Sequence, residues 1–338
     1  MAAAGLTVVA TAFVGGLALL AHWGKKNRSA EVSLIVLLLF LSLLIAAFGA
    51  LAGIGLLLTS FGEGESPISS TRLPIAAAGI AAILASMTGL ALCVPPLLKV
   101  TGRRESGFWS DPTIFFALWV FVMVLANNLV NLLVFTQSPG AAQFIATGEG
   151  RISPGLILLS ELPLFIVAVL GVGIGIRRSP REVLERVGYG PVSLPQLGLA
   201  ALFVAGALLL SFATDVLFAY IQPDLYEQVG KVSDRLFDPR GLSPVYMVLF
   251  ALLIGAGAAA GEETLFRGAL QPVLGIPLTS ILFASMHTQY GLSIGLGYVF
   301  LLSVGLGLLR KWANTTLSFL THTTYNFWLV VLSYFFST

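Results

Sequence analysis

Between Val245 and Gly261 the chain runs for 17 residues without a charge, and apolar stretches of this kind recur along its length. A helix of about 20 apolar residues crosses the roughly 30 Å of hydrocarbon in a bilayer. Lipid offers no partner for backbone N–H and C=O groups, so a chain repeating such stretches folds into helices that satisfy their own. Composition points the same way. The chain is 57% hydrophobic and 10% charged, with a mean hydropathy of +0.93, where an average soluble domain carries roughly 25% charged residues. The expected fold class is all-α: a polytopic membrane helical bundle of about 10 transmembrane helices, or 8–10 allowing for uncertain junctions.

The expected spans are roughly 3–22, 33–60, 73–98, 113–135, 155–176, 193–220, 244–271, 277–290, 291–309 and 314–336. The first has no basic residue ahead of its apolar core, and Lys25, Lys26 and Arg28 follow it, so it reads as an uncleaved anchor. Alternate connections differ in charge. One set holds Lys25, Lys26, Arg28, Lys99, Arg103, Arg104, Arg177, Arg178, Arg181, Arg186, Arg267, Arg310 and Lys311; the other holds Arg72, Arg151, Lys231, Arg235 and Arg240. Thirteen basic residues against 5 place the first set in the cytoplasm. The net charge of +2 is too small to imply a nucleic-acid partner. Cys93 is the only cysteine, which excludes a disulfide within the chain, and its apolar setting before Pro95-Pro96 marks a packing residue.

Two connections read as interfacial helices. Ser179-Pro180-Arg181-Glu182 is a capping box with proline in the first turn. Leu225, Val229, Val232 and Leu236 recur at helical spacing among charged residues. Small residues four apart, Gly171 with Gly175 and Gly257 with Gly261, mark places for close helix approach. The expected division is 1–192, a membrane region without an assigned role, and 193–338, a helical bundle whose chemistry lies in 244–336.

That chemistry begins where the uncharged stretch ends, at Gly261-Glu262-Glu263-Thr264-Leu265-Phe266-Arg267-Gly268. A charge at the centre of a bilayer costs roughly 2.5–3.5 kcal/mol on insertion scales, so an acidic pair there needs a function or a wet loop. Three histidines occur in all. His22 beside Trp23 reads as an interfacial anchor. His287 and His322 lie downstream, in Phe283-Ala284-Ser285-Met286-His287 and His322-Thr323-Thr324-Tyr325-Asn326. Pro244 opens the seventh helix, Pro272 is expected to close it, and Pro277 opens the eighth. At 1.5 Å per residue Glu262 and His287 then sit about 15 Å from one connection, with His322 about 12 Å and Asn326 about 18 Å deep from the same side. Four polar residues converge on one level of the membrane.

Glu263 and Arg267 stand four apart, acid first, the order that favours an ion pair along one helix face. Adjacent helical positions differ by about 100°, so Glu262 is expected to face the histidines and Glu263 to face Arg267. A carboxylate with a histidine can hold and deprotonate water; a second histidine and an amide can donate to a developing oxyanion. No serine or cysteine is placed as an activated nucleophile, which favours direct attack by water.

Glu262-Glu263-x-x-x-Arg267, Phe283-x-x-x-His287 and His322-x-x-x-Asn326, in that order on successive helices, resemble the motifs of the type II CAAX prenyl protease and bacteriocin-processing family of intramembrane proteases. The resemblance covers roughly 244–336. It implies an intramembrane endopeptidase in which Glu262 and His287 activate water and His322 and Asn326 donate to the oxyanion. The Glu263–Arg267 pair read from spacing is then structural, with Phe283 in support. The resemblance also implies a peptide or protein substrate, prenylated or otherwise membrane-bound, within the lipid bilayer. Arg267, Arg310 and Lys311 mark the near connections as the basic side, so the active site is expected to open toward the cytoplasm. No cofactor is required on this reading. The alternative is a zinc enzyme using Glu262, His287 and His322, although the compact H-E-x-x-H motif is missing. Two other classes remain open: a transporter relaying protons through buried Glu and His, with Glu161, Asp215 and the Asn127, Asn128, Asn131 cluster in support, and a non-catalytic scaffold or immunity protein. Glu161 and Asp215 each lie within about seven residues of a span end, from which a side chain can reach the interface.

Overall fold

A computed structural model of the chain describes residues 2–60, 72–103, 105, 107–137, 154–237, 239 and 241–336. Among them every regular element is helical apart from one isolated bridge between Ile174 and Arg178. The helices are α1 (Ala2–Gly24), α2 (Arg28–Ser60), α3 (Arg72–Val100), α4 (Pro112–Gln137), α5 (Pro154–Gly171), α6 (Pro180–Val187), α7 (Leu194–Ile221), α8 (Pro223–Phe237) and α9 (Pro244–Glu262). A π-helical segment, Glu263–Leu270, then leads into α10 (Gln271–Met286), followed by α11 (Ile294–Trp312) and α12 (Thr315–Phe336).

Seven stretches among the described residues are long and apolar enough to cross a membrane. One of them, Pro244–Met286, is 43 residues long and breaks at Gly275, where φ is 75° and ψ is 173°. It therefore holds two of the spans read from the sequence. The break falls where it was expected, between Pro272 and Pro277. Pro272 does not close the preceding helix as expected: it lies in the first turn of α10, and the chain turns at the glycine, which alone adopts that backbone cheaply. Pro277 then starts a stub of ten residues, 277–286, capped by His287. Of the other expected spans, α5 has a shorter apolar stretch, Leu159–Gly171, and α12 carries Thr, His and Asn residues that lower its hydropathy.

Packing divides the helices into two compact units, one made of Met1–Gly15 with Pro139–Thr338, the other of Gly16–Ser138. Within the larger unit α5 packs on α9 and the π segment, and α6 on the π segment. In the Gly16–Ser138 unit α2 and α3 run close together where Gly49 meets Gly79; a β-carbon at Gly49 would lie 2.8 Å from the Gly79 carbonyl oxygen. The Trp119 indole N–H donates to Ser42 Oγ at 2.9 Å, and Lys99 reaches Glu31 at 2.7 Å. Asp111 pairs with Lys25; burial raises its carboxyl, but hydrogen bonds from Lys25 and Thr113 and the Lys25 charge outweigh burial and hold it below its ordinary value. Cys93 is buried. His22 is buried too, at 4% exposure, so it is not the interfacial anchor expected; Trp23 is the exposed member of the pair.

In the larger unit α9 packs on α12 and α5. Small residues permit the approach: a β-carbon at Gly255 would lie 2.6 Å from the Thr323 carbonyl oxygen, and one at Gly261 only 2.7 Å from that of Glu161. Gly171 and Gly175 do not act this way. A β-carbon at either would meet nothing within 4 Å, and Gly175 serves a turn at φ +73°. The capping box opens α6 as its spacing predicts: Ser179 Oγ accepts from the Glu182 N–H while Glu182 accepts from the Ser179 N–H at 2.8 Å. α8 buries Leu225, Val229 and Val232. The side chains of Leu236 and Arg235 lie outside the described residues, as do Arg104, Arg151 and Arg240.

Candidate active site

The π segment and α12 build the site. Glu263 is fully buried, and its Oε2 meets Arg267 Nε at 3.2 Å, with side-chain exposures of 0% and 1%. The same carboxylate accepts a hydrogen bond from Ser318 Oγ and one from His322 Nδ1 at 2.8 Å. An ionised carboxylate only accepts, so His322 carries its proton on Nδ1 and presents Nε2 on the other side of the ring. Nε2 lies 3.7 Å from Glu262 Oε2. Both glutamates therefore flank one imidazole, which corrects the expectation that only Glu262 faces a histidine. Carboxylates 100° apart on one helix fall to either side of a ring laid across it.

The two glutamates differ in access. Glu262 keeps 15% of its side chain exposed. Arg267 is sealed on its other side by Ser303, whose carbonyl and hydroxyl oxygens accept from Nη2 at 3.4 and 3.3 Å, and by the Phe283 ring, with Cζ 4.6 Å from its centroid. Phe283 is the hub of the aromatic contacts. Its ring lies 4.8 Å from that of His287 and 6.1 Å from that of His322. His287 caps the C-terminal end of the α10 stub and its Nδ1–H donates to the Phe283 carbonyl at 2.9 Å, which leaves Nε2 free. Asn326, half-buried, stands one turn beyond His322 on the same face of α12.

Glu161, expected to reach the interface, is turned inward from α5 onto Gly261; a β-carbon there would lie 2.8 Å from Glu161 Oε2. That oxygen is buried without a hydrogen-bond partner, and the carboxylate is within electrostatic reach of Glu262. A lone acid in an apolar span was the signal, but only its tertiary neighbours could say where it points. Ser318, four residues before His322 and so on its face, is a second partner not singled out from sequence. Asp215 lies elsewhere, within electrostatic reach of Tyr290 and of the Tyr298–Tyr325 pair, whose hydroxyls bond at 2.7 Å. Among the described residues no three His, Cys, Asp or Glu side chains are grouped closely enough to hold a metal ion as they stand, Glu262, His287 and His322 included.

The fold and the site define a polytopic helical membrane protein with a sealed Glu–Arg–His network beside one accessible carboxylate. Residues 244–328, from the start of α9 into α12, match the family described as type II CAAX prenyl endopeptidase Rce1-like, a protease family. The chain is also similar to the uncharacterized protein YpbD of Bacillus subtilis (strain 168), 27% identical over 153 residues that make up 45% of this chain and 74% of the relative. No solved structure matches it.

Proposed function

We propose that the chain is an intramembrane endopeptidase that hydrolyses a peptide bond in a membrane-associated or lipidated protein, using water activated by Glu262 and His287. One observation carries the reading: of two adjacent acids, Glu263 is spent on Arg267, Ser318 and His322, while Glu262 remains accessible in front of a histidine. A base must be reachable by water; a strut need not be. Glu262 takes the proton of the attacking water, and the free Nε2 of His287 holds that water or shares its proton. His322, fixed through Nδ1 by Glu263, and the Asn326 amide donate to the tetrahedral oxyanion, His322 doing so when both its nitrogens are protonated. The match over 244–328 supports the class of reaction.

No step in this mechanism passes through a metal; the zinc reading would instead require the three ligands to rearrange. Basic residues on the connections near the site, Arg310 and Lys311 among them, support an opening toward the cytoplasm. A cysteine at exposed Lys311 reports it by labelling from that side alone. The deciding experiment compares membranes carrying the wild-type chain and Glu262→Gln by mass spectrometry of new peptide termini. Termini present only with wild type identify the substrate. Identical termini in both defeat the reading.

A further inference from the structure

At the end of the larger unit where α6 meets α11, four arginines gather with one acid, Glu182, near enough to act on them. Arg186 donates from Nη1 to the Gly268 carbonyl at 2.9 Å. Burial, and then the charges of Arg178, Arg310 and Arg177, hold its guanidinium below the ordinary value. Arg178 is lowered by burial and by Arg177, with Glu182 opposing. Arg310 Nη2 would lie 3.6 Å from a β-carbon at Gly188, just past α6, and its Nε is buried without a hydrogen-bond partner.

None of the ion pairs among the described residues includes these four arginines. The acids of α6 are committed elsewhere: Glu185 pairs with Arg181, and Glu182 accepts from the Ser179 N–H and hydroxyl in the cap. Gathered cations repel one another, and a partly buried guanidinium donor without an acceptor adds its own desolvation cost. An anion removes both costs. The surroundings identify its source. Leu184 is 57% exposed on α6 and Trp312 is 64% exposed at the end of α11, an apolar side chain and an amphipathic ring of the kind that sits at the headgroup boundary.

We propose that Arg177, Arg178, Arg186 and Arg310 form a binding site for the phosphate of an anionic phospholipid headgroup. Planar guanidinium forks match phosphate oxygens in pairs, and Leu184 and Trp312 meet the glycerol and upper acyl chain, which free phosphate lacks. The site is tied to the catalytic segment. Arg186 holds Gly268, a β-carbon at Gly268 would lie 2.8 Å from the Val187 side chain, and the Tyr189 hydroxyl donates to Thr264 Oγ1 at 2.7 Å. A bound headgroup therefore steadies α6 against the π segment. The inference is independent of the peptidase reading, since it is measured by binding.

The test uses the full chain in neutral detergent, titrated with short-chain phosphatidylglycerol, with phosphatidylcholine and inorganic phosphate as parallel probes, and reads the melting temperature. Phosphatidylglycerol is expected to raise it, the other two at equal concentration to leave it unchanged. Arg177→Gln and Arg310→Gln are each expected to weaken the midpoint about fivefold, the equivalent of about 1 kcal/mol per basic group at an anionic surface. Arg103→Gln, an exposed residue of the other unit, should not. Arg177 is itself exposed, so its variant tests the site even if Arg310→Gln fails to fold. An equal shift from inorganic phosphate, an unchanged midpoint in Arg177→Gln, or the same weakening in Arg103→Gln overturns the proposal.

Discussion

Replacing Glu263 by glutamine separates strut from base most sharply. Glutamine keeps the shape of the side chain but removes its charge and turns one acceptor oxygen into an N–H₂ donor. The carboxylate it replaces pairs with Arg267 and accepts from Ser318 and His322, all buried. One of those partners would then face another donor, and Arg267 would keep the Ser303 oxygens and the Phe283 and Phe266 rings but no anion in contact. Removing one partner of a buried ion pair costs about 3–5 kcal/mol because the surviving charge is stranded. That range lowers the folded-to-unfolded ratio by roughly 10²–10⁴. The assay is thermal unfolding of detergent-purified protein, with the monodisperse yield as a second readout, for Glu262→Gln, Glu263→Gln and the double variant Glu263→Gln/Arg267→Met. Glu262→Gln should melt close to wild type. Glu263→Gln should melt far below it, and the double variant should recover part of the loss, since no cation is then left unpaired. A stable Glu263→Gln beside an unstable Glu262→Gln would refute the reasoning and exchange the two roles.

Asn326→Ala is expected to reduce cleavage by about 10²–10³ if its amide serves the oxyanion, with little change in melting temperature; a purely structural amide would reverse that pattern. Gly261→Val should lower stability by about 1–3 kcal/mol, since its β-carbon would lie 2.7 Å from the Glu161 carbonyl, whereas Gly171→Val, with nothing within 4 Å of the β-carbon, should be silent in the same melt. Prolonged treatment with a chelator should leave cleavage intact; loss of activity restored by added Zn²⁺ would favour the metal alternative with Glu262, His287 and His322 as ligands.

What was legible in the sequence is what depends on local period. Apolar runs gave the helices, Ser179 and Glu182 gave the α6 cap, and the spacing of four between Glu263 and Arg267 gave their contact. What escaped depends on partners distant in the chain or on competition between neighbours. Glu161 looked like a side chain near a span end because nothing in its own helix shows that Gly261 of α9 lies against it. The prolines bracketed the break after α9, but which residue makes it was not legible: the helix continues through Pro272 and turns at Gly275, at a φ of +75°. The shared His322 escaped because angular separation along one helix ignores the breadth of the ring that faces it.

The π-helical segment also governs how this region tolerates changes in length. Its turns close through bonds five residues apart, as from the Gln271 N–H to the Phe266 carbonyl, so it holds slack that an α-helix of equal rise lacks. A residue deleted between Thr264 and Phe266 can be absorbed by tightening those turns, leaving α10 and His287 in place and setting Arg267 three residues from Glu263, a spacing at which the two still meet along an α-helix. A deletion within α9 has no slack to draw on and rotates everything after it by about 100°. Chain length is therefore a tuning variable in these eight residues and a fixed quantity on either side of them.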